Sequence, residues 1–441
     1  MAASPPSCTD QATPIATSVA DELLERFGRY MNPGLARTFA FMGLAHPEVC
    51  AEGAWIEDDE GTRYLDFGAG YGVQVLGYRH PRLVAAAVRQ LHEGMALGSR
   101  VLLSAPAVDL AERLAHLTPG ALERSFFVNS GTEAVEAAIK FARLSTGRKE
   151  IVATEGAYHG KTIGALSVSG RPVYQTPFEP LMPGVRRIPF GDGDAVERAV
   201  SAETAAVVIE PIQGEGGVVI PPDGYLARVR AACDRAGARM IVDEIQTGMG
   251  RTGPLWAIEH ESGVVPDYLC AAKGLGGGLV PIGAVVGTAE ATAFLDPLPL
   301  IHTSTFGGGA LAATIGCATL DLLVELDLRA RVESLGERAL ARLRALKARH
   351  PDLVAEVRGR GLMMALEVAA PGVAGMVMAG LFQRHVLVAH TLNNERVLRL
   401  LPPLVVTDGE MDTALSAFDA AFADAAEDAA ELVREEDGSD A

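Results

Sequence analysis

Aromatic side chains make up only 5% of this 441-residue chain, and it has only five cysteines. Cys8, Cys50, Cys233, Cys270 and Cys317 are scattered, odd in number and never spaced C-x-x-C. That pattern argues against a disulfide framework or a zinc site and for a reducing compartment. Basic residues are outnumbered 38 to 56, giving a formal net charge of -18. Non-specific binding to nucleic acid or to an anionic membrane is thereby disfavoured. No uncharged apolar run reaches the roughly 20 residues of a membrane-spanning helix. Residues 1–17 lack the basic start and apolar middle of a secretion signal, so a loose N-terminus and a cytoplasmic location are expected. The acidic run from Asp424 to Asp440 reads as a helix end leading into a solvated tail.

What is present is ordinary for a large folded chain: 49% hydrophobic residues, 21% charged residues and 48 glycines. Short apolar runs alternate with alanine-rich stretches through the middle. Ser125–Asn129, Glu150–Thr154, Ala205–Glu210, Arg239–Asp243 and Tyr268–Ala271 read as strands, and Thr132–Leu144 and Gly224–Ala236 as helices. Strands separated by helices predict an α/β fold, a mostly parallel sheet flanked by helices. Gly53–Phe67 reads as a hairpin turning at Asp59–Gly61. Long helices follow Ala310, with strands at Leu353–Glu367 and Val386–Val388, which predicts a smaller α+β domain.

Polar, glycine-rich motifs recur at the C-terminal ends of the strands, where open α/β sheets bind ligands. In CAAKGLGGGLVPIG, Lys273 follows a strand and precedes a glycine run. A buried lysine is costly unless paired, neutralised or used covalently, and a Schiff-base lysine meets that demand. A surface lysine in a glycine turn would read the same way. In RMIVDEIQTGMGRTG, Asp243 ends an apolar strand and could hold a pyridine nitrogen protonated, with Gln246 one turn on. A strand-end aspartate capping its own turn is the plainer reading. Ser130-Gly131-Thr132 leads into a helix, and its free N–H groups would cup a phosphate; an ordinary N-cap has the same residues.

In GAYHGKT, Tyr158 reads as an aromatic plate and His159 as a satisfied structural histidine. The phosphate-loop spacing fails there, because three residues rather than four separate Gly156 from Gly160. Gly248, Gly250 and Gly253 spell the dinucleotide fingerprint, but Glu244–Thr247 separates them from the strand and Pro254 follows. Glu215, in a glycine-flanked loop, has the chemistry to pair reversibly with an arginine. Thr305 in HTSTFGGG could offer hydroxyl and amide to a phosphate. Arg399 in VLRLLPPL sits in an apolar frame, suited to gripping a carboxylate or to a structural ion pair.

From Asn32 to Phe422 these motifs occur in the order seen in class III aminotransferases, which the chain resembles. The likeness is strongest to putrescine aminotransferases, through NPG at Asn32–Gly34, GAYHGKTIGALS, DEIQTGMGRTG, PIGA at Pro281–Ala284 and LVAHTLNN at Leu387–Asn394. The resemblance implies a fold-type I transferase that uses pyridoxal 5'-phosphate (PLP). It implies Lys273 as Schiff-base lysine and proton shuttle, Asp243 as partner of the ring nitrogen and Gln246 as partner of the ring hydroxyl. Ser130, Gly131 and Thr132 become the phosphate cup and Tyr158 the stacking ring. Thr305 becomes a phosphate ligand lent by a second subunit, so a homodimer with shared active sites is expected. Arg399 becomes the carboxylate clamp, Glu215 its switch, and Tyr71 a pocket residue. Lys161 stands where many relatives have arginine, and Gly309-Ala310 replaces their Asn-Pro.

The expected organisation is an N-terminal segment (residues 1–66) packing with the small domain. A large cofactor domain (67–312), a small C-terminal domain (313–424) and an acidic tail (425–441) complete it. The implied reaction moves an amino group from a primary amine, diamine or ω-amino acid to a keto acid such as 2-oxoglutarate or pyruvate. An aminomutase or decarboxylase of the same fold, and a nicotinamide-dependent oxidoreductase, are the alternatives.

Overall fold

The computed structural model describes residues 17–437, with side chains described from Ala20 to Ala426. The expected loose N-terminus over residues 1–16 and the end of the acidic tail lie outside these bounds. Within them, the terminal helix Asp408–Asp437 carries the backbone of the first part of that tail.

Three short antiparallel strands open the fold: β1 (Glu48–Glu52), β2 (Trp55–Asp58) and β3 (Arg63–Asp66). The Asp58 carboxylate accepts the N–H groups of Glu60 and Thr62, and Gly61 takes a φ of 81°, which closes the tight β2–β3 turn. The large sheet follows with β4 (Leu122–Val128), β5 (Glu150–Thr154), β6 (Val185–Ile188), β7 (Thr204–Ile209), β8 (Arg239–Asp243), β9 (Tyr268–Ala271) and β10 (Gly283–Thr288). Its order is β4-β10-β9-β8-β7-β5-β6. Every neighbouring pair from β9 to β6 is parallel, and only β10 runs against its neighbours.

The all-apolar strands are buried on both faces because helices cover both. Val207, Ile209, Met240 and Val242 face one core cluster, while Ala206, Val208 and Ile241 face another. The helix Gly131–Thr146 packs on β7, β8, β9 and β10 through Ala134, Ala137, Ala138 and Phe141. Small alanines let it approach the sheet closely.

A third sheet contains β11 (Val354–Arg360), β12 (Met363–Val368), β14 (Ala389–His390) and β15 (Val397–Leu400), all antiparallel. Between them, β13 (Val386–Leu387) leaves that sheet and pairs in parallel with β3, so the N-terminal strands are tied to the C-terminal part of the chain. No helix among the described residues is long and apolar enough to cross a membrane.

Candidate active site

The strands β4, β5, β7, β8 and β9 all end at the same edge of the large sheet, and the loops beyond them converge on one cavity of about 430 Å³. Gly131, Thr132, Tyr158, His159, Gly160, Lys161, Glu210, Glu215, Asp243, Ile245, Gln246 and Lys273 line it.

Ser130 caps the helix Gly131–Thr146, its hydroxyl accepting the Glu133 N–H at 3.3 Å. The N–H groups of Gly131 and Thr132 precede the first intrahelical acceptor and take no hydrogen bond among the described residues. They stand open at the positive end of a 16-residue helix dipole. Thr132 is fixed by Thr162, their hydroxyls 2.8 Å apart. Gly160 has to be glycine: its φ is 121°, and a Cβ there would lie 2.2 Å from the Thr132 Oγ1.

Lys273 follows β9 directly and takes a φ of 44°, a strained left-handed conformation for a side-chain-bearing residue. Its amine points into the cavity. Burial, reinforced by the Arg399 charge and opposed by Glu215, Asp243 and Glu210, lowers its pKa to about 8. At the end of β8, the Asp243 Oδ1 accepts the Ile245 N–H at 3.0 Å. Its Oδ2 lies 2.7 Å from the His159 Nδ1, with both side chains buried. Burial acts to lower the His159 pKa, but the hydrogen bond and charge of Asp243 win, and its pKa is raised. Glu210 ends β7 and accepts N–H groups from Tyr158 and Gly214 at 3.1 and 3.0 Å. Burial, opposed by His159, lifts its carboxyl to about 7.

Arg399 lies on β15 and is 1% exposed. Its Nη1 donates to the Glu215 Oε1 at 2.5 Å and to the Gln246 Oε1 at 3.1 Å. Glu215 is also held by the Leu392 N–H at 2.9 Å. Burial works against ionising Glu215, but Arg399, the Leu392 N–H and Lys273 hold its carboxyl below the usual range. Gln246 donates in turn to the Tyr71 carbonyl at 3.2 Å.

A family model, aminotransferase class-III, matches residues 45–422. Ornithine aminotransferase from Toxoplasma gondii is 34% identical over 87% of this chain and 91% of that one, with a TM-score of 0.82. A thermostable (S)-enantioselective omega-transaminase from Thermomicrobium roseum is 32% identical over 92% and 99% of the two chains, TM-score 0.82. An amine transaminase from an uncultivated Pseudomonas species, solved in its PLP-bound internal aldimine form, is 29% identical over 86% and 95%, TM-score 0.79. The chain belongs to the class III aminotransferases. As a member of that class it is a transaminase of fold type I, and pyridoxal phosphate is its cofactor.

Of the residues singled out in this class III aminotransferase's sequence, Gly131, Thr132, Tyr158, Lys161, Glu215, Asp243, Gln246 and Lys273 share the cavity wall. Ser130 and Arg399 stand directly behind it through the contacts above. Tyr71 and Thr305 are not in the wall. Tyr71 is exposed, at a φ of 60°, and reaches the cluster through its carbonyl. Thr305 sits on an exposed loop. Lys161 places its amine 3.6 Å from the centre of the Tyr174 ring. The glycine fingerprint Gly248–Gly253 forms turns rather than a strand-to-helix junction, and Asp267 pairs with Arg230 and Arg239.

Two groups escaped the sequence reading: His159, taken as structural, and Glu210. The signal for Glu210 was an acid closing a wholly apolar strand; for His159, its place beside Tyr158 in the same turn.

The cavity fits the cofactor on its own evidence. An open helix N-terminus for a phosphate, a depressed lysine amine for an aldehyde and a buried carboxylate for a ring nitrogen all face one space.

Proposed function

We propose that the enzyme takes the amino group of a putrescine-like primary amine, diamine or ω-amino acid and delivers it to a keto acid such as 2-oxoglutarate or pyruvate. The observation that carries this reading is the buried Glu215–Arg399 pair. A bare guanidinium at the cavity would repel a cationic amine and demand a carboxylate; neutralised by Glu215, it admits an amine without one. A keto acid would take Glu215's place, its carboxylate meeting the fork of Arg399.

Bound pyridoxal phosphate supplies an aldehyde carbon that condenses with amines and a cationic ring that accepts electron density. In this reading Ser130, Gly131 and Thr132 hold its phosphate, Tyr158 stacks on its ring and Gln246 binds its hydroxyl. Asp243 keeps the ring nitrogen protonated by placing a negative charge against it. Lys273 holds the aldehyde; once displaced by the amine, its Nζ takes the proton from the substrate carbon and returns it one step later. A pKa near 8 suits both tasks at neutral pH. Lys161, steadied on Tyr174, faces the outer part of the cavity, where a keto acid's second carboxylate would lie.

A homodimer supports the same reading. Arg100 donates to the Gly307 and Ser304 carbonyls at 2.9 and 3.1 Å, joining the Thr305 loop to Val101, Leu102 and Leu103. Those three side chains are 80–95% exposed, an apolar surface suited to a second copy. Thr305 would then reach the partner's phosphate.

A donor panel tests the substrate. Putrescine, 4-aminobutyrate and ornithine are each paired with 2-oxoglutarate and with pyruvate, and kcat/KM is compared. Putrescine should lead; ornithine leading by tenfold or more would overturn the substrate assignment.

A further inference from the structure

We infer that His159 is a positioning residue that fixes and charges Asp243 for its contact with the cofactor ring; this rests on the role proposed for Asp243. Two donors aim the carboxylate: the Ile245 N–H at Oδ1 (3.0 Å) and the His159 Nδ1 at Oδ2 (2.7 Å). His159 is itself pinned. Its N–H donates to the Ser169 Oγ at 3.1 Å, and its side chain is wholly enclosed. Its Nε2 is buried without a partner among the described residues, so Asp243 is the only group that orients the ring. A histidine buried for packing alone would not leave one nitrogen unsatisfied and spend the other on a carboxylate at the mouth of a cavity.

The electrostatics of the floor point the same way. Asp243, Glu210 and the Cys270 thiol are enclosed together, and burial favours the neutral form of each acid. An imidazolium beside Asp243 keeps that carboxylate, rather than Glu210, as the ionised one. The protonated neighbour thus supplies Asp243 with the charge that a pyridinium partner requires, much as outer residues tune a metal ligand.

The test uses pyridoxamine 5'-phosphate, which forms no covalent bond with Lys273, and its 1-deaza counterpart, in which a CH replaces the ring nitrogen. Dissociation constants are measured for both on full-length protein stripped of cofactor. The wild type should prefer the nitrogen-bearing ligand by about tenfold or more, the worth of one charged hydrogen bond. His159→Leu should collapse that preference toward equality, whereas His159→Asn, which keeps an N–H near the Nδ1 position, should retain most of it. His159→Leu keeping the wild-type preference would overturn the inference while leaving the Asp243 role intact. A wild type with no preference would instead overturn the Asp243 role itself, and this inference with it. Should His159→Leu not fold, 15N-histidine spectra of the wild type decide the matter. A protonated Nδ1 across the range from about pH 6 to 9 supports the inference, and an unprotonated Nδ1 overturns it.

Discussion

Arg399 and Glu215 meet at 2.5 Å from different sheets, β15 and the loop after β7, and the contact is almost wholly shielded from water. Removing one member of such a pair strands the other charge. Glu215→Ala should therefore lower the free energy of unfolding by about 3–5 kcal/mol, read from urea denaturation. In the same variant, the half-reaction with a carboxylate-free diamine should slow relative to that with a keto acid. Unchanged stability and unchanged substrate ratio would rule out the switch.

Arg399→Lys keeps the charge but loses the planar fork. The KM for 2-oxoglutarate should rise by about 10–100-fold, because bidentate geometry is lost. The single-turnover rate with putrescine should change far less. Equal losses in both halves would mean that Arg399 supports the fold rather than the acceptor.

The Lys273 amine carries a pH signature. Its lowered pKa of about 8, set mainly by burial and by Arg399, means that the neutral, nucleophilic form predominates above that pH. Capture of an aldehyde by cofactor-free protein should climb through about pH 8 and then level off. An ordinary lysine would still be climbing near pH 10. The linkage has a definite sign: between about 8 and 10.5 the unfolded chain binds the proton and the folded chain does not. This group therefore adds stability as pH rises across that window. A capture rate still rising at pH 10 would contradict the assignment.

Gly160 sits against Thr132 with no room for a methyl group, at a φ that side chains avoid. Gly160→Ala should cost about 1–3 kcal/mol in stability through overpacking. It should also weaken affinity for inorganic phosphate, since Thr132 is displaced from the helix start. Calorimetric titration with phosphate checks this; an unchanged affinity would separate Gly160 from the cup.

Much of this was legible in the sequence because the governing physics is local. The strands Glu150–Thr154, Arg239–Asp243 and Tyr268–Ala271 are apolar runs with clear polar ends, and they occupy those spans. Strand β6 was not legible: its sequence VRRI has two exposed arginines, as an edge strand allows. Strand β10 hides in a glycine-bounded stretch and runs antiparallel, which no βα alternation signals. Val386–Val388 did read as strand, but its partner β3 lies hundreds of residues away, so the sheet it joins was not legible. In the site, glycine motifs and strand-end charges marked Lys273 and Asp243. The pairings of His159 with Asp243 and of Gln246 with Arg399 and Tyr71 join loops distant in sequence, and only the fold brings them together.

The central claim is a covalent bond between Lys273 and pyridoxal phosphate, and one measurement tests it most directly. The protein is loaded with the cofactor, reduced with borohydride, digested and mapped by mass spectrometry. The reduced cofactor should sit on the peptide containing Lys273, and Lys273→Ala should carry none. Labelling at another lysine, or equal labelling of the variant, would contradict the account.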